Sequence, residues 1–172
     1  MIAPAESHLV WIALGSNLGE RQSNLEGAIA RLEALPGFQV LARSSWIETL
    51  PVGGPRGQGN FLNGALQGRT SLAPLALLDA LQAIEAEYGR ERRVHHGPRT
   101  LDLDLLLYGD QVHLGERLCL PHPELENRLF VLEPMSQLAP KMRLPGCGLT
   151  ISRRLQDLRR SEAPGQPFVH AD

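Results

Sequence analysis

One seven-residue stretch limits what this chain can fold into: from Leu101 to Leu107 the sequence reads Leu-Asp-Leu-Asp-Leu-Leu-Leu. Leucine recurs at every second position, which is typical of a β-strand with one face in the core. We expect these leucines to face the core, and Asp102 and Asp104 to point together to the other side. Aspartate is a poor strand former, on a scale of roughly 1 kcal/mol, so we expect a specific reason for a pair of aspartates in one strand.

The paired carboxylates are a candidate metal site. A strand rises about 3.3 Å per residue, so Asp102 and Asp104 should have Cα atoms roughly 6.5–7 Å apart on one face. Carboxylates this close repel each other unless a cation or a group of arginines lies between them. Their hard oxygen ligands suit Mg²⁺ that also carries substrate phosphates. An acidic strand face exposed to water is the alternative interpretation, and the strand alone does not decide between the two.

A basic segment comes directly before the strand. Residues 90–99 contain four arginines and two histidines, and Gly89 and Gly97-Pro98 mark the segment as a loop between a helix and the strand. Guanidinium groups beside paired carboxylates are typical of phosphoryl transfer, in which metal ions bridge phosphate oxygens and arginines neutralise developing charge. The alternative is a solvated basic loop that forms ion pairs with the aspartates.

The ten residues that begin at Gly97, Gly-Pro-Arg-Thr-Leu-Asp-Leu-Asp-Leu-Leu, resemble the signature of the 6-hydroxymethyl-7,8-dihydropterin pyrophosphokinases. These folate-pathway enzymes transfer pyrophosphate from ATP to the hydroxymethyl group of a pterin. The resemblance extends from Val10 to Leu158. It implies that Asp102 and Asp104 hold two Mg²⁺ ions on the ATP phosphates, and that the pterin hydroxyl attacks the β-phosphorus with AMP as the leaving group.

The same resemblance implies which residues bind the nucleotide. They are Gln82, Glu85, Arg90, Arg92, Arg99, Arg117, His122 and Arg128. Among them, Arg90, Arg92 and Arg99 are implied to act in catalysis together with the two aspartates, by stabilising charge on the transferring group. Taken by themselves, Gln82 and Glu85 are ordinary residues of a helix surface.

A second candidate site combines an aromatic ring with an amide. Phe61 and Asn63 share one face of a predicted strand, which suits a flat heterocycle, because the ring stacks on it and the amide both donates and accepts hydrogen bonds. The alternative is a core phenylalanine beside a surface asparagine. The residues that the resemblance implies for the pterin pocket are Thr49, Leu50, Val52, Phe61, Asn63, His96 and Phe130. Family members frequently carry tryptophan at the position of His96, and histidine stacks more weakly.

The order of predicted elements indicates the fold class. Strand patterns occur at residues 9–14, 38–47, 60–67 and 101–107. One helical pattern follows the first strand, and a second extends from Ser71 to Gly89. Ser16 or Asn17 is expected to cap the first helix. We therefore expect an α+β fold in which helices flank an antiparallel sheet, with the ferredoxin-like core that the resemblance implies. Residues 1–160 should form a single domain and residues 161–172 a loosely ordered tail.

Composition excludes several classes of function. With 17 Lys and Arg against 19 Asp and Glu, the net charge of −2 gives no argument for nucleic acid. The apolar run at residues 9–14 is too short for a signal or a membrane span. Cys119 and Cys147 have neither metal-ligand nor disulfide spacing. We expect a cytoplasmic monomer whose partners are ATP and, by resemblance, 6-hydroxymethyl-7,8-dihydropterin, with no nucleic-acid or membrane partner.

Two other classes of protein fit the same residues. One is a non-catalytic ligand-binding module, in which the aspartates and arginines form a structural ion-pair network without any dependence on Mg²⁺. The other is a metal-dependent nucleotidyltransferase, in which the aspartate pair directs attack at the α-phosphorus and pyrophosphate leaves. The set Phe61, Asn63 and Phe130 favours a planar heterocycle over the end of a nucleic acid.

Overall fold

The structure, a computed structural model, describes residues 6–51, 57–89, 100–161 and the backbone of 169–170. Its helices are α1 (Arg21–Ala34), α2 (Pro74–Glu87), α3 (Leu129–Leu138) and α4 (Ile151–Ser161). Its strands are β1 (His8–Ser16), β2 (Phe38–Arg43), β3 (Ile47–Thr49), β4 (Phe61–Thr70), β5 (Asp102–Tyr108), β6 (His113–Leu114), β7 (Cys119–Leu120) and β8 (Val169–His170). The antiparallel sheet and the helices on its faces confirm the α+β prediction.

One sheet, with the strand order β5-β1-β4-β3-β8, organises the fold, and β2 pairs with the other end of β4. β1 runs antiparallel to both of its neighbours, and β2 and β3 run antiparallel to β4. When β2 and β3 are counted as two halves of one strand, the chain follows the βαββαβ order of a ferredoxin-like core. A separate two-stranded sheet pairs β6 with β7.

The strand predicted over residues 38–47 is divided into β2 and β3. Ser44 interrupts the ladder, because its N–H donates to the Ala65 carbonyl while its hydroxyl accepts the Ala65 N–H, both at 2.9 Å. Trp46 then turns its ring over Gly64, where a Cβ atom would come within 2.4 Å of the indole. Because Gly64 has no side chain, the Trp46 ring can lie over it, a position that this ring would not reach if β2 continued as a regular strand.

The turn after β1 differs from the prediction. Glu20 occupies the N-cap position of α1 and makes no side-chain capping hydrogen bond, so the expected cap by Ser16 or Asn17 is wrong. Ser16 is the last residue of β1. The Asn17 amide instead donates to the side chain of Gln58 and to the carbonyl of Gly59, each at 3.1 Å. A long-range contact thus replaces the local capping contact.

Two hydrophobic cores lie on opposite faces of the sheet. Val10, Ile12 and Leu14 of β1 face the first core, which α1 and α2 cover, whereas Trp11 faces the second, which α3 and α4 cover. β1 is therefore buried on both faces, which accounts for its nearly continuous apolar sequence. At the tail, Ser161 ends α4, and the backbone of Val169–His170 pairs with β3.

Within the described residues, no helix combines the length and the apolar character that crossing a membrane requires.

Truncation in either core should destabilise the whole sheet. Leu32→Ala and Leu132→Ala each empty a fully buried position, on opposite faces. We expect each to lower the free energy of unfolding by about 2–5 kcal/mol in urea denaturation. Each core contains one tryptophan, Trp46 or Trp11, so fluorescence reports on both. The control is Leu114→Ala, at a side chain that is 89% exposed, and it should change the free energy of unfolding by less than about 0.5 kcal/mol. Separate transitions for the two cores would contradict this expectation.

Candidate active site

The predicted aspartate pair and the predicted amide lie on the same face of the sheet. Asp102 pairs with Gly15 of β1, and Gly15 pairs with Asn63 of β4. Directly opposed residues of antiparallel strands point to the same side, so these three positions form a row across three strands. Since neighbouring strands lie about 4.8 Å apart, the row spans about 10 Å from the carboxylate strand to the amide strand.

Small residues separate the two groups. In the next row of the same face, Asp104 pairs with Ala13, and Ala13 pairs with Ala65. Gly15 and Ala13 therefore leave a shallow strip between the carboxylates and the amide. Further along this face, Trp11 belongs to the core covered by α3 and α4. This sheet face is therefore apolar and covered by α3 and α4 near Trp11, and polar near Asp102 and Asn63.

Three of the residues predicted for the pterin pocket, Thr49, Phe61 and Asn63, lie together on β3 and β4. Asn63 donates its Nδ2 hydrogen to Thr49 Oγ1 at 2.6 Å, and both residues are buried. Phe61 pairs with Thr49 across the two strands and shares the face of Asn63. A Cβ atom on Gly15 would lie 2.9 Å from Asn63 Oδ1, so the glycine is needed for this amide orientation. Leu50 follows Thr49 and is exposed.

Glu85 lies beneath the aspartate strand. Its carboxylate accepts the backbone N–H of Leu103 at 2.9 Å, between the two aspartates, and its side chain is buried. Within the part of the chain that the structure describes, β5 pairs in this sheet with β1 alone, so the carboxylate binds an N–H on the side of β5 that faces no strand partner there. The sequence contains a signal for this burial, since Glu85 lies one turn after the buried Leu81 on α2. Its predicted contact with ATP stays a prediction.

The segment after β7 places His122 against the aspartate strand and within electrostatic range of Arg128. The His122 N–H donates to the Leu106 carbonyl of β5 at 2.9 Å, and its ring Nδ1 accepts the Glu124 N–H at 3.1 Å. Burial lowers the pKa of the His122 imidazole, and the positive charge of Arg128 lowers it further, while Glu124 and Asp102 oppose both effects. The fold therefore favours the neutral form of this ring, which lies within electrostatic range of Asp102.

Arg128 also contacts the predicted stacking aromatic. It occupies the N-cap position of α3, and its guanidinium carbon lies 5.5 Å from the centre of the Phe130 ring. At this separation the cation is attracted by the negative face of the ring. Phe130 packs against the second core. The structure thus brings a predicted phosphate ligand and a predicted pterin contact together at the start of one helix.

Gln82 on α2 and Arg117 in the segment before β7 are two further predicted nucleotide ligands, and they contact each other. Arg117 Nη2 donates to Gln82 Oε1 at 3.3 Å and to Asp79 Oδ1 at 2.5 Å. Both members of the Arg117–Asp79 ion pair are exposed. Sequence reasoning missed Asp79, which lies one turn before Gln82 on α2. Its only signal is that helical spacing.

Several predicted residues lie outside the part of the chain that the structure describes. They are Val52, Arg90, Arg92, His96 and Arg99. Their roles stay predictions.

The donor set is compatible with Mg²⁺. Among residues 6–51, 57–89 and 100–161, no group of three or more His, Cys, Asp or Glu side chains forms a metal cage. Asp102 and Asp104 instead offer two carboxylates on one strand face. Mg²⁺ is commonly bound by one or two carboxylates, with its other ligands supplied by substrate phosphates and water. The pair therefore fits a metal that arrives with a nucleotide.

A family model described as 7,8-dihydro-6-hydroxymethylpterin-pyrophosphokinase matches residues 11–140, more than half of the chain. The chain belongs to this family. It is therefore an enzyme, an ATP-dependent diphosphotransferase of folate biosynthesis, as the resemblance in its Asp strand implied.

Curated relatives support the assignment over most of their length. A 2-amino-4-hydroxy-6-hydroxymethyldihydropteridine pyrophosphokinase from Pseudomonas aeruginosa is 48% identical over 136 residues, covering 79% of this chain and 83% of the relative. The enzyme of the same name from Bacillus subtilis is 37% identical over 166 residues, covering 96% of this chain and 99% of the relative.

Solved structures support the fold. An HPPK-DHPS crystal structure in complex with substrates superimposes with a TM-score of 0.71 at 12% identity, over 91% of this chain and 44% of that chain. A Plasmodium falciparum HPPK-DHPS variant superimposes with the same TM-score at 14% identity, over 90% of this chain and 44% of that one. This chain thus spans less than half of those longer proteins.

Loss of the Glu85 carboxylate should weaken the aspartate strand. Glu85→Ala removes the acceptor of the buried Leu103 N–H, and we expect the free energy of unfolding in urea to fall by about 1–3 kcal/mol. Glu85→Gln keeps an acceptor oxygen and should cost less. The control is Glu87→Ala on the same helix, whose ion pair with Arg31 is exposed; it should cost less than about 1 kcal/mol. Equal effects of the two alanine variants would contradict the assigned contact.

His122 should make stability depend on pH. Because its pKa is lowered in the folded state, the unfolded chain takes up the proton first as the pH falls below about 6.5. The free energy of unfolding should therefore be highest above that pH and decrease as the pH falls toward the folded-state pKa. Urea denaturation at pH 7.5 and 5.5 measures the decrease. His122→Asn should lose less stability over this interval than the wild-type protein, and an equal or larger loss would contradict the expectation.

Proposed function

We propose that this enzyme transfers the pyrophosphoryl group of ATP to the hydroxymethyl oxygen of 6-hydroxymethyl-7,8-dihydropterin and releases AMP. The observation that carries the proposal is the row Asp102, Gly15, Asn63 on one sheet face. It separates a carboxylate pair from an aromatic and amide pocket by about 10 Å. That separation accommodates a heterocycle at one end and a phosphate chain at the other.

Asp102 and Asp104 would hold Mg²⁺ on the nucleotide, with two ions in our proposal. When bound, Mg²⁺ neutralises charge on the phosphate oxygens. The contribution of this chain is the geometry of the two carboxylates. Pairing with β1 fixes their face, and the Glu85 contact with Leu103 holds the strand between them. The pair is therefore preorganised for the ion that accompanies ATP.

The pterin would occupy the pocket formed by Phe61, Asn63 and Thr49. Asn63 commits one Nδ2 hydrogen to Thr49, which leaves its second N–H and its Oδ1 for the polar edge of a heterocycle. Phe61 offers a ring for stacking from the same face. Phe130 and Leu50 would add apolar contacts, and the family resemblance adds Val52 and His96 to this pocket.

The nucleotide would be bound by basic and polar groups around the aspartate strand. His122, whose pKa is lowered by burial and by Arg128, serves as a hydrogen-bonding group, and Arg128 supplies a cation near this imidazole. Arg117 and Gln82 already contact each other. Arg90, Arg92 and Arg99 are assigned to the phosphates by family resemblance, and so is Glu85.

In the reaction, a bond forms between the hydroxymethyl oxygen and the β-phosphorus, and the bond from that phosphorus to the α,β-bridging oxygen breaks. AMP carries away the bridging oxygen, and the hydroxyl proton passes to solvent. Positioning and electrostatic stabilisation account for most of the catalysis of such loose transition states. No dedicated general base is needed in this scheme.

The decisive experiment identifies the nucleotide product. The protein is incubated with ATP, Mg²⁺ and 6-hydroxymethyl-7,8-dihydropterin, and the nucleotides are separated by chromatography. We expect AMP only when both the pterin and the metal are present. Asp102→Asn and Asp104→Asn should each lower the rate by at least about 10²-fold, because each removes charge that is needed in the transition state.

Asp110→Asn is the matched control, since Asp110 is exposed in the turn after β5. Its rate should stay within about twofold of wild type, as for a typical surface position. Release of pyrophosphate would instead indicate nucleotidyl transfer. ADP, or absence of turnover, would also overturn the proposal, and a metal-independent ligand-binding role would then be tested.

A further inference from the structure

Arg21 joins two chain segments that are distant in sequence. Its Nη1 donates to Glu48 Oε1 at 2.9 Å and to the backbone carbonyl of Asn60 at 2.8 Å. Glu48 belongs to β3, and Asn60 directly precedes β4. One guanidinium nitrogen therefore bridges the two strands from outside their ladder.

The bridge lies at the last described pair of that ladder. β3 is three residues long, and its pairing with β4 ends at Thr49 and Phe61. Glu48 and Asn60 are the residues directly before these two. Strand ends open more readily than strand centres, because no further pair holds them. Arg21 binds where the ladder would separate most easily.

The position of Arg21 runs against local preference. It is the first residue of α1, and the first turn of this helix contains no acidic residue. The amino-terminal end of a helix carries partial positive charge, which disfavours a cation there. Violations of a local rule concentrate at functional or strained sites. The long-range contacts with Glu48 and Asn60 are a physical reason for the arginine at this position.

The ion pair is better shielded than an ordinary surface pair. The side chains of Arg21 and Glu48 are 31% and 29% exposed, whereas those of Arg31 and Glu87 in a comparable pair from α1 are 59% and 48% exposed. Exposed pairs contribute little because solvent screens them. The first pair also includes a backbone acceptor, which restricts the guanidinium further.

We propose that Arg21 is a positioning residue for the pterin pocket: it holds the open end of the β3–β4 ladder so that Thr49, Phe61 and Asn63 keep one arrangement. This inference rests on the proposed pterin site. The clamp is formed by Arg21 with Glu48 and Asn60. Thr49 and Phe61 adjoin the two residues that Arg21 binds, and Thr49 in turn holds the Asn63 amide. Among the described residues, the hydrogen bonds and the ion pair of Arg21 go to Glu48 and Asn60, not to the aspartate strand. The clamp therefore acts on the pterin end of the site and leaves the nucleotide end unchanged.

Steady-state kinetics test the inference on the full chain with ATP, Mg²⁺ and 6-hydroxymethyl-7,8-dihydropterin. We expect Arg21→Gln to raise KM for the pterin by about tenfold, the size of effect that loss of a charged hydrogen bond produces. KM for ATP should change by less than about twofold, since no nucleotide contact is altered. Arg21→Lys keeps one donor and should recover part of the loss. Arg31→Gln removes the same charge from the same helix and should leave both constants unchanged.

Backbone hydrogen exchange supplies a readout independent of activity. In Arg21→Gln, amides of residues 47–49 and 61–63 should exchange faster, while those at the centre of β1 keep their wild-type rates. An unchanged pterin KM, or an equal rise in both KM values, would overturn the positioning role. Absence of AMP from the wild-type enzyme would overturn the proposed function instead, and with it the pterin as the ligand. If the wild-type enzyme forms no AMP and exchange in Arg21→Gln is also unchanged, the structural role of Arg21 at the β3–β4 ladder is excluded as well.

Discussion

The pairing of β1 with β4 on one side and β5 on the other is the interaction on which the rest of the structure depends. Side chains alternate along a strand, so a slip of one residue would turn each of them to the opposite face. Asp102 and Asp104 would then enter the core under α1 and α2, and their leucine neighbours would face the site. Burial of Val10, Ile12 and Leu14 against those helices therefore holds the register that presents the carboxylates.

Contacts from other elements hold the strand β5 and the end of the β3–β4 pairing. On the β5 edge, Glu85 accepts the Leu103 N–H, and His122 donates its N–H to Leu106. At the end of β3, Arg21 bridges Glu48 and Asn60. An edge strand lacks a partner on one side, and the end of a strand lacks a further pair, so both open more easily than the centre of a sheet. In this enzyme the anchored elements are the carboxylate strand and the strand end beside the predicted pterin pocket, so we expect stability and site geometry to depend on the same few contacts.

Local periodicity predicted the strand faces of the candidate site residues better than the contacts that hold those strands. The alternation at residues 101–107 placed the aspartates on one face, and the same rule paired Phe61 with Asn63. The role of Asn17 was predicted wrongly, because its amide binds Gln58 and Gly59, which lie about forty residues further along the chain. Glu85 read by itself as a helix-surface residue, although it is buried under β5. In both cases the hydrogen-bond partner is distant in sequence, so local periodicity does not identify it, although the helical spacing from Leu81 does indicate that Glu85 is buried.

The sequence by itself determined the strand and helix pattern, the faces of the aspartates and of the aromatic and amide pair, and the family, because these follow from local spacing and from a contiguous motif. Only the tertiary structure decided that the two groups share one sheet face across Gly15. It also decided the division of the second predicted strand at Ser44, and the clamp formed by Arg21. Each of these depends on the register between strands that the chain brings together from distant positions, and register is set by packing of the whole sheet.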